Sequence, residues 1–200
     1  MLRAVQLRRI PRLLVGLWIF GVGIAMILMG DFGLPPWDVL HQGIQEQSPL
    51  SIGTAIIVVG ACLVAVMALL REPIGIGTVA NVLVIGVAVD VTLWMFDDPT
   101  STFGRAAATL AGPAVIAVGS GLYLGVHLGS GPRDGMMTAL GRRGVTIWKA
   151  RLAVEAVALG GGLLLGGSVG WGTIWFLVSI GPLVQLSLAR LSLPVTEPAT

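Results

Sequence analysis

Cysteine, tyrosine and histidine are nearly missing from this chain, which has 1 Cys, 1 Tyr and 2 His among 200 residues. A lone cysteine, Cys62, excludes an intrachain disulfide and any C-x-x-C metal or redox motif. Inside its apolar run it is expected to be a small buried hydrophobe. Charge is scarce as well: Asp, Glu, Lys and Arg make up 11% of the residues, with a formal net charge of +2. The 12 Lys and Arg residues sit beside apolar segments and build no basic surface, so no nucleic-acid partner is expected despite a pI near 9.3. No phosphate loop, zinc spacing or nucleophile elbow occurs, so neither enzymatic activity nor a cofactor is expected.

What fills the chain is hydrocarbon. Hydrophobic residues are 55% of it and the mean hydropathy is +0.92, far from the balance of a soluble domain. A helix crossing about 30 Å of bilayer needs roughly 20 apolar residues. The length therefore accommodates six spans and little else, a single all-α membrane domain over 1–200. Apolar runs place the spans near Arg12 to Met29, Ser51 to Leu70, Thr78 to Phe96, Arg105 to Val126, Ile147 to Leu165 and Thr173 to Arg190. The first is preceded by Arg3, Arg8, Arg9 and Arg12, as in a signal peptide, but it is long enough to span and lacks an A-x-A site, so a retained helix is expected.

Lys and Arg counts in the connections set orientation. The N-terminus, the second connection with Arg71, and the fourth with Arg133, Arg142, Arg143 and Lys149 read as cytoplasmic. The first connection, with Asp31, Asp38 and Glu46, and the third, with Asp97 and Asp98, read as external; Arg105 dissents mildly. Both termini are then cytoplasmic. His41 and His127 fall on opposite sides, which disfavours a shared metal site, although either could relay protons.

The chain also repeats itself. Gly33, Pro36 and Asp38 recur as Gly129, Pro132 and Asp134 at an offset of 96; Gly75-Ile76-Gly77-Thr78 recurs as Gly170-Trp171-Gly172-Thr173 at 95; Gly23 matches Gly119 and Ile85-Gly86 matches Ile180-Gly181. Three spans per unit force the second copy to enter from the other side. The expected fold is thus two inverted-topology three-helix repeats, about 12–96 and 105–190, each with a short re-entrant or interfacial helix begun by Pro36 or Pro132.

Candidate functional residues follow from charge where charge is costly. Asp38 and Asp134 fall in the first turn of the short helices, where they either stabilise the positive helix end or face a ligand. Arg133 at a helix start is electrostatically unfavourable there. It either pairs with Asp134, receives an anion, or snorkels to the interface. Glu155 lies in the middle of the fifth span, where an ionisable group marks function by default, and Arg151 four residues earlier can pair with it. Asp90 is a weaker acid candidate near the outer interface. Trp37, Trp94 and Trp148 fit an aromatic belt, and Thr78 and Thr173 fit caps of the third and sixth spans.

Leu128-Gly129-Ser130-Gly131-Pro132-Arg133-Asp134-Gly135-Met136, Arg151 to Glu155, and Gly166-Gly167-Ser168-Val169-Gly170-Trp171-Gly172-Thr173 resemble the YczE/YyaS/YitT group of bacterial integral membrane proteins. Gly33-Leu34-Pro35-Pro36-Trp37-Asp38 and Gly75-Ile76-Gly77-Thr78 resemble its first-half motifs, and the likeness runs from about Arg12 to Arg190, nearest the YczE branch. It implies a small multi-pass protein of the bacterial cytoplasmic membrane, in a group of unknown or proposed transport role.

The expectation is a secondary transporter, with proton coupling as one form of it, for a small polar or charged solute that is zwitterionic or anionic. Arg133 and Arg151 would attract a carboxylate, Asp134 and Glu155 an amino group or proton, and Asp38 would complete the outer half. A passive channel and a non-transporting membrane partner remain as alternatives. The lipid bilayer and the solute are the expected partners, and glycine-rich helices are compatible with a homodimer although no sequence feature specifies its interface.

Overall fold

Every long apolar run becomes a helix, because a chain in hydrocarbon must satisfy its backbone groups internally. The computed structural model describes residues 2–194, with side chains from residue 7; Arg3 therefore lies outside the side chains described. Eight helices follow in order: α1 (Leu2–Gly30), α2 (Pro36–Glu46), α3 (Ile52–Leu69), α4 (Ile76–Met95), α5 (Thr102–Leu124), α6 (Pro132–Arg142), α7 (Ile147–Leu164) and α8 (Trp171–Leu191), with no strand among the described residues. Five of them, α1, α3, α4, α5 and α8, are long and apolar enough to cross a membrane. α7 has the 18 residues of α3 but carries Lys149, Arg151 and Glu155, so composition alone does not mark it as a span. Many large hydrophobics face outward, among them Trp94, Phe103 and Leu164, each at least 85% exposed, as suits a surface wetted by lipid.

Local chemistry sets the helix starts. Pro36 and Pro132 occupy the first positions of α2 and α6, where a missing N–H costs nothing. Ser51 and Ser101 cap α3 and α5 by accepting from Thr54 N and Gly104 N. Thr78 and Thr173 accept from Gly75 N and Gly170 N, capping α4 and α8 as expected. α1 starts well before Arg12, running through Pro11 and the basic stretch. Arg9 and Arg12 have partners there: they donate to the carbonyls of Val126 and Pro194, just past the ends of α5 and α8, and of Leu191, the last residue of α8. At the other end of the bundle Arg105 donates to Gly30 O at 3.2 Å and Asp31 at 2.6 Å, which accounts for a cation the charge pattern left anomalous.

α1 and α5 therefore run antiparallel, and they touch backbone to backbone. A Cβ on Gly16 would lie 2.7 Å from Tyr123 N, one on Gly23 2.8 Å from Ile116 N, and one on Gly119 2.6 Å from Gly16 O. Against this seam α4 packs on α1 and α8 on α5, while α2 lies on α7 and α6 on α3. The loop before each short helix holds the start of a distant long one. Gly172 N donates to Phe32 O at 2.8 Å, and Gly77 N to Leu128 O at 2.9 Å. Left-handed residues Asp31, Gly33 and Arg71 in one half correspond to His127, Gly129 and Gly166 in the other.

Cys62 departs from expectation, lying exposed on α3, because in a bilayer the outer face of a helix is as apolar as its inner one. Replacing Gly119 with Leu should drive a side chain into the α1 backbone and lower the apparent Tm in detergent by at least about 5 °C, the scale of an overpacking cost near 1–3 kcal/mol. Gly160→Ala, whose Cβ would meet nothing within 4 Å, should leave Tm unchanged.

Candidate functional site

The Gly-x-x-Pro-x-Asp elements bring charge inward. Pro36 starts α2 so that Trp37, Asp38 and His41 all point into the protein, where each is buried. The Asp38 carboxylate stands 3.1 Å from His41 Nδ1 and 3.8 Å from the Arg133 guanidinium, which reaches across from the start of α6. Arg133 also stacks over the Trp37 ring, 5.0 Å from its centroid. The ion-pair partner of Arg133 is Asp38 of α2 and not its neighbour Asp134, and its side chain is 28% exposed, toward a cavity.

That cavity has a volume of about 430 Å³. Arg133 and Asp134 line it from α6, Arg151 and Glu155 from α7, and Trp37 and His41 from α2. Arg151 and Glu155 pair at 2.9 Å through their spacing of four on one helix face. The remaining wall is mostly apolar, drawn mainly from α3, α4, α5 and α8, with Asn81, Ser120, Tyr123 and Gln185 as polar exceptions. Four of the five residues singled out from sequence thus meet on one cavity, and the fifth, Asp38, sits directly behind it, fully buried against His41 and Arg133.

Chemically, the cavity presents two guanidinium groups and two carboxylates separated by a few side chains, with a buried imidazole beside them. Guanidinium binds carboxylate or phosphate in a fixed fork. Glu155 and Asp134 can accept an ammonium or a proton. Among the described residues no cluster of three or more His, Cys, Asp or Glu could hold a metal ion.

Sequence reasoning missed four contributors. His41 was weighed only as a metal ligand or proton relay, although its spacing of three from Asp38 on a helix would have put both on one face. Trp37 was assigned to an aromatic belt and is instead buried beneath Arg133, while Trp94 and Trp148 are exposed as expected. Tyr123 and Asn81 carried no signal, since their approach depends on how α4 and α5 pack. Outside the site, Glu72 is buried between Arg142 at 3.0 Å and Arg143 at 3.6 Å, fastening α6 to the end of α3. Asp90 accepts from Gly53 N and Ser51 Oγ and does not reach the cavity.

The model of DUF6198, described as a family of unknown function, matches residues 7–188. An uncharacterized protein of Haemophilus influenzae is 36% identical over 186 residues, covering 92% of this chain and 84% of its own. The uncharacterized membrane protein YczE of Bacillus subtilis is 29% identical, covering 88% and 83%, and YyaS of the same organism 24% identical, covering 80% and 82%. No solved structure matches.

Removing the Asp38 carboxylate should leave Arg133 without its partner in a largely desolvated place. Asp38→Asn is expected to destabilise by about 1–3 kcal/mol, less than a fully buried pair because Arg133 keeps some access to water. In a double-mutant cycle read by thermal unfolding in detergent, Asp38→Asn with Arg133→Gln should cost less than the sum of the two single changes.

Proposed function

We propose that this chain, which belongs to the DUF6198 family, is a secondary transporter of a small zwitterionic or anionic solute, built from two three-helix repeats of opposite membrane orientation. The observation that carries the reading is the convergence of Arg133, Asp134, Arg151 and Glu155 on one cavity inside a membrane-type helix bundle. Intramembrane charge is costly and marks substrate or ion pathways, and the cavity volume falls within the roughly 300–1,000 Å³ of small-molecule sites. Opposite charges side by side suit a solute bearing both a carboxylate and an amine. Arg133, held by Asp38 and the Trp37 ring, would receive the carboxylate; Glu155 or Asp134 would take the amine or a coupling proton.

Supporting the repeat are the paired helix lengths, the recurrence of left-handed backbone at Asp31 and His127, Gly33 and Gly129, and Arg71 and Gly166, and the reciprocal clasps at Phe32 and Leu128. With α7 counted as a sixth span, the half-helices α2 and α6 enter from opposite faces, the arrangement around which transporter sites are built. In this reading both termini are cytoplasmic, which the loop charges support, and the protein sits in the bacterial inner membrane, which its likeness to a bacterial membrane protein supports.

The test is uptake by proteoliposomes of a labelled panel: neutral amino acids, dicarboxylates and inorganic phosphate. Saturable uptake of a panel member, driven uphill by an imposed gradient and reduced at least about tenfold in Arg133→Gln, is expected, since loss of a bidentate charged contact costs on the order of 1.5–3 kcal/mol. Flux that never saturates would identify a channel instead. If Glu155→Gln transports at an unchanged rate with an unchanged pH profile, proton coupling through Glu155 is wrong.

A further inference from the structure

The cavity is walled on two flanks by helix pairs that are packed very differently. α3 lies along α4, and glycine makes the approach possible: Gly53 meets the Gly86 carbonyl, Gly86 meets Ile57, and Gly60 meets Val82. Across the start of α3 lies the Asp90 carboxylate of α4. It accepts from Gly53 N at 2.8 Å and from Ser51 Oγ at 2.5 Å. An amide at a helix start has no helical acceptor, and a carboxylate there is favoured by the helix dipole.

On the other flank α7 and α8 barely touch. An offset of 95 puts Trp148 in the place of Gly53, Gln185 in that of Asp90, Gly181 in that of Gly86 and Glu155 in that of Gly60. The elements that close α3 on α4 are missing here. Trp148 is 63% exposed, a Cβ on Gly181 would meet nothing within 4 Å, and Gln185 lines the cavity instead of bridging two helices. The cavity follows this asymmetry. Its lining runs along α8 from Phe176 to Leu188, whereas on α3 it begins at Ile56, past the Asp90 bridge.

We propose that Asp90, with Ser51 and Gly53, is a latch that shuts the α3–α4 flank, and that the α7–α8 cleft is the portal through which solute reaches the charged site in this conformation. With the orientation set by the loop charges, the latch faces the exterior and the portal the cytoplasm. The structure is then one of two alternate packings. In the other, α3 and α4 part as the Asp90 hydrogen bonds are released, and α7 closes on α8. Discrete alternatives of this kind are how packed helices switch. The inference rests on the transporter reading, but its test requires no solute, so latch and transport can fail separately.

The probes are single cysteines on the cavity wall in a Cys62→Ala background: Ile56→Cys on α3 and Gln185→Cys on α8. Each is labelled with a membrane-impermeant maleimide, added to spheroplasts or to inverted vesicles. Gln185→Cys should react from the cytoplasmic side and Ile56→Cys scarcely from outside. Adding Asp90→Ala should raise outside labelling of Ile56→Cys about tenfold, the scale of one charge-assisted hydrogen bond, and Ser51→Ala about fivefold. Ser51→Ala also carries the test if Asp90→Ala fails to insert. An outside rate unchanged by these substitutions overturns the latch. Disulfide formation between two copies through Gly181→Cys, together with protection of Gln185→Cys, would overturn the portal by making the cleft an interface between copies.

Discussion

Backbone contact between α1 and α5 is the constraint on which the remaining architecture hangs. In a bilayer, apolar side chains gain nothing by leaving lipid for protein, so helices associate through close van der Waals packing and polar links. Gly16, Gly23 and Gly119 permit that packing, and Arg9, Arg12 and Arg105 tie the two ends of the bundle to carbonyls that helix termini leave open. With α1 and α5 fixed antiparallel, α4 and α8 take equivalent places on either side. The short helices are then carried inward, toward the cavity between the halves.

The charged site depends on that frame because its most buried charge, Asp38, is partnered across elements by Arg133. Arg133 in an apolar setting is held by the Asp38 carboxylate and the Trp37 ring, and Asp38 by His41 and Arg133. Arg151 and Glu155 neutralise one another along α7. Each half supplies what the other lacks, α2 the buried acid and imidazole, α6 and α7 the cations and the accessible acids. Corresponding short helices thus flank a cavity whose charged lining differs from one side to the other.

Much of this was written in linear patterns. Helix positions followed from apolar runs, because hydrocarbon leaves the backbone no alternative, and Pro36, Pro132, Thr78 and Thr173 marked helix starts through the chemistry of caps. The pair Arg151 and Glu155 was legible because both residues share one helix and one face. Trp37 and Cys62 were misjudged for a common reason. Periodicity separates inside from outside only where the outside is water, and here both environments are apolar.

The sequence by itself determined a helical membrane protein with two corresponding halves and a small set of costly charges, since those are consequences of composition, spacing and the price of burying ions in hydrocarbon. Only the tertiary structure decided that Arg133 pairs with Asp38 instead of its neighbour Asp134, that His41 and Tyr123 join the site, and that α3 closes on α4 while α7 stands away from α8. Those outcomes depend on which helix faces which across the α1–α5 seam, and contacts between residues roughly a hundred positions apart leave no periodic trace in the chain.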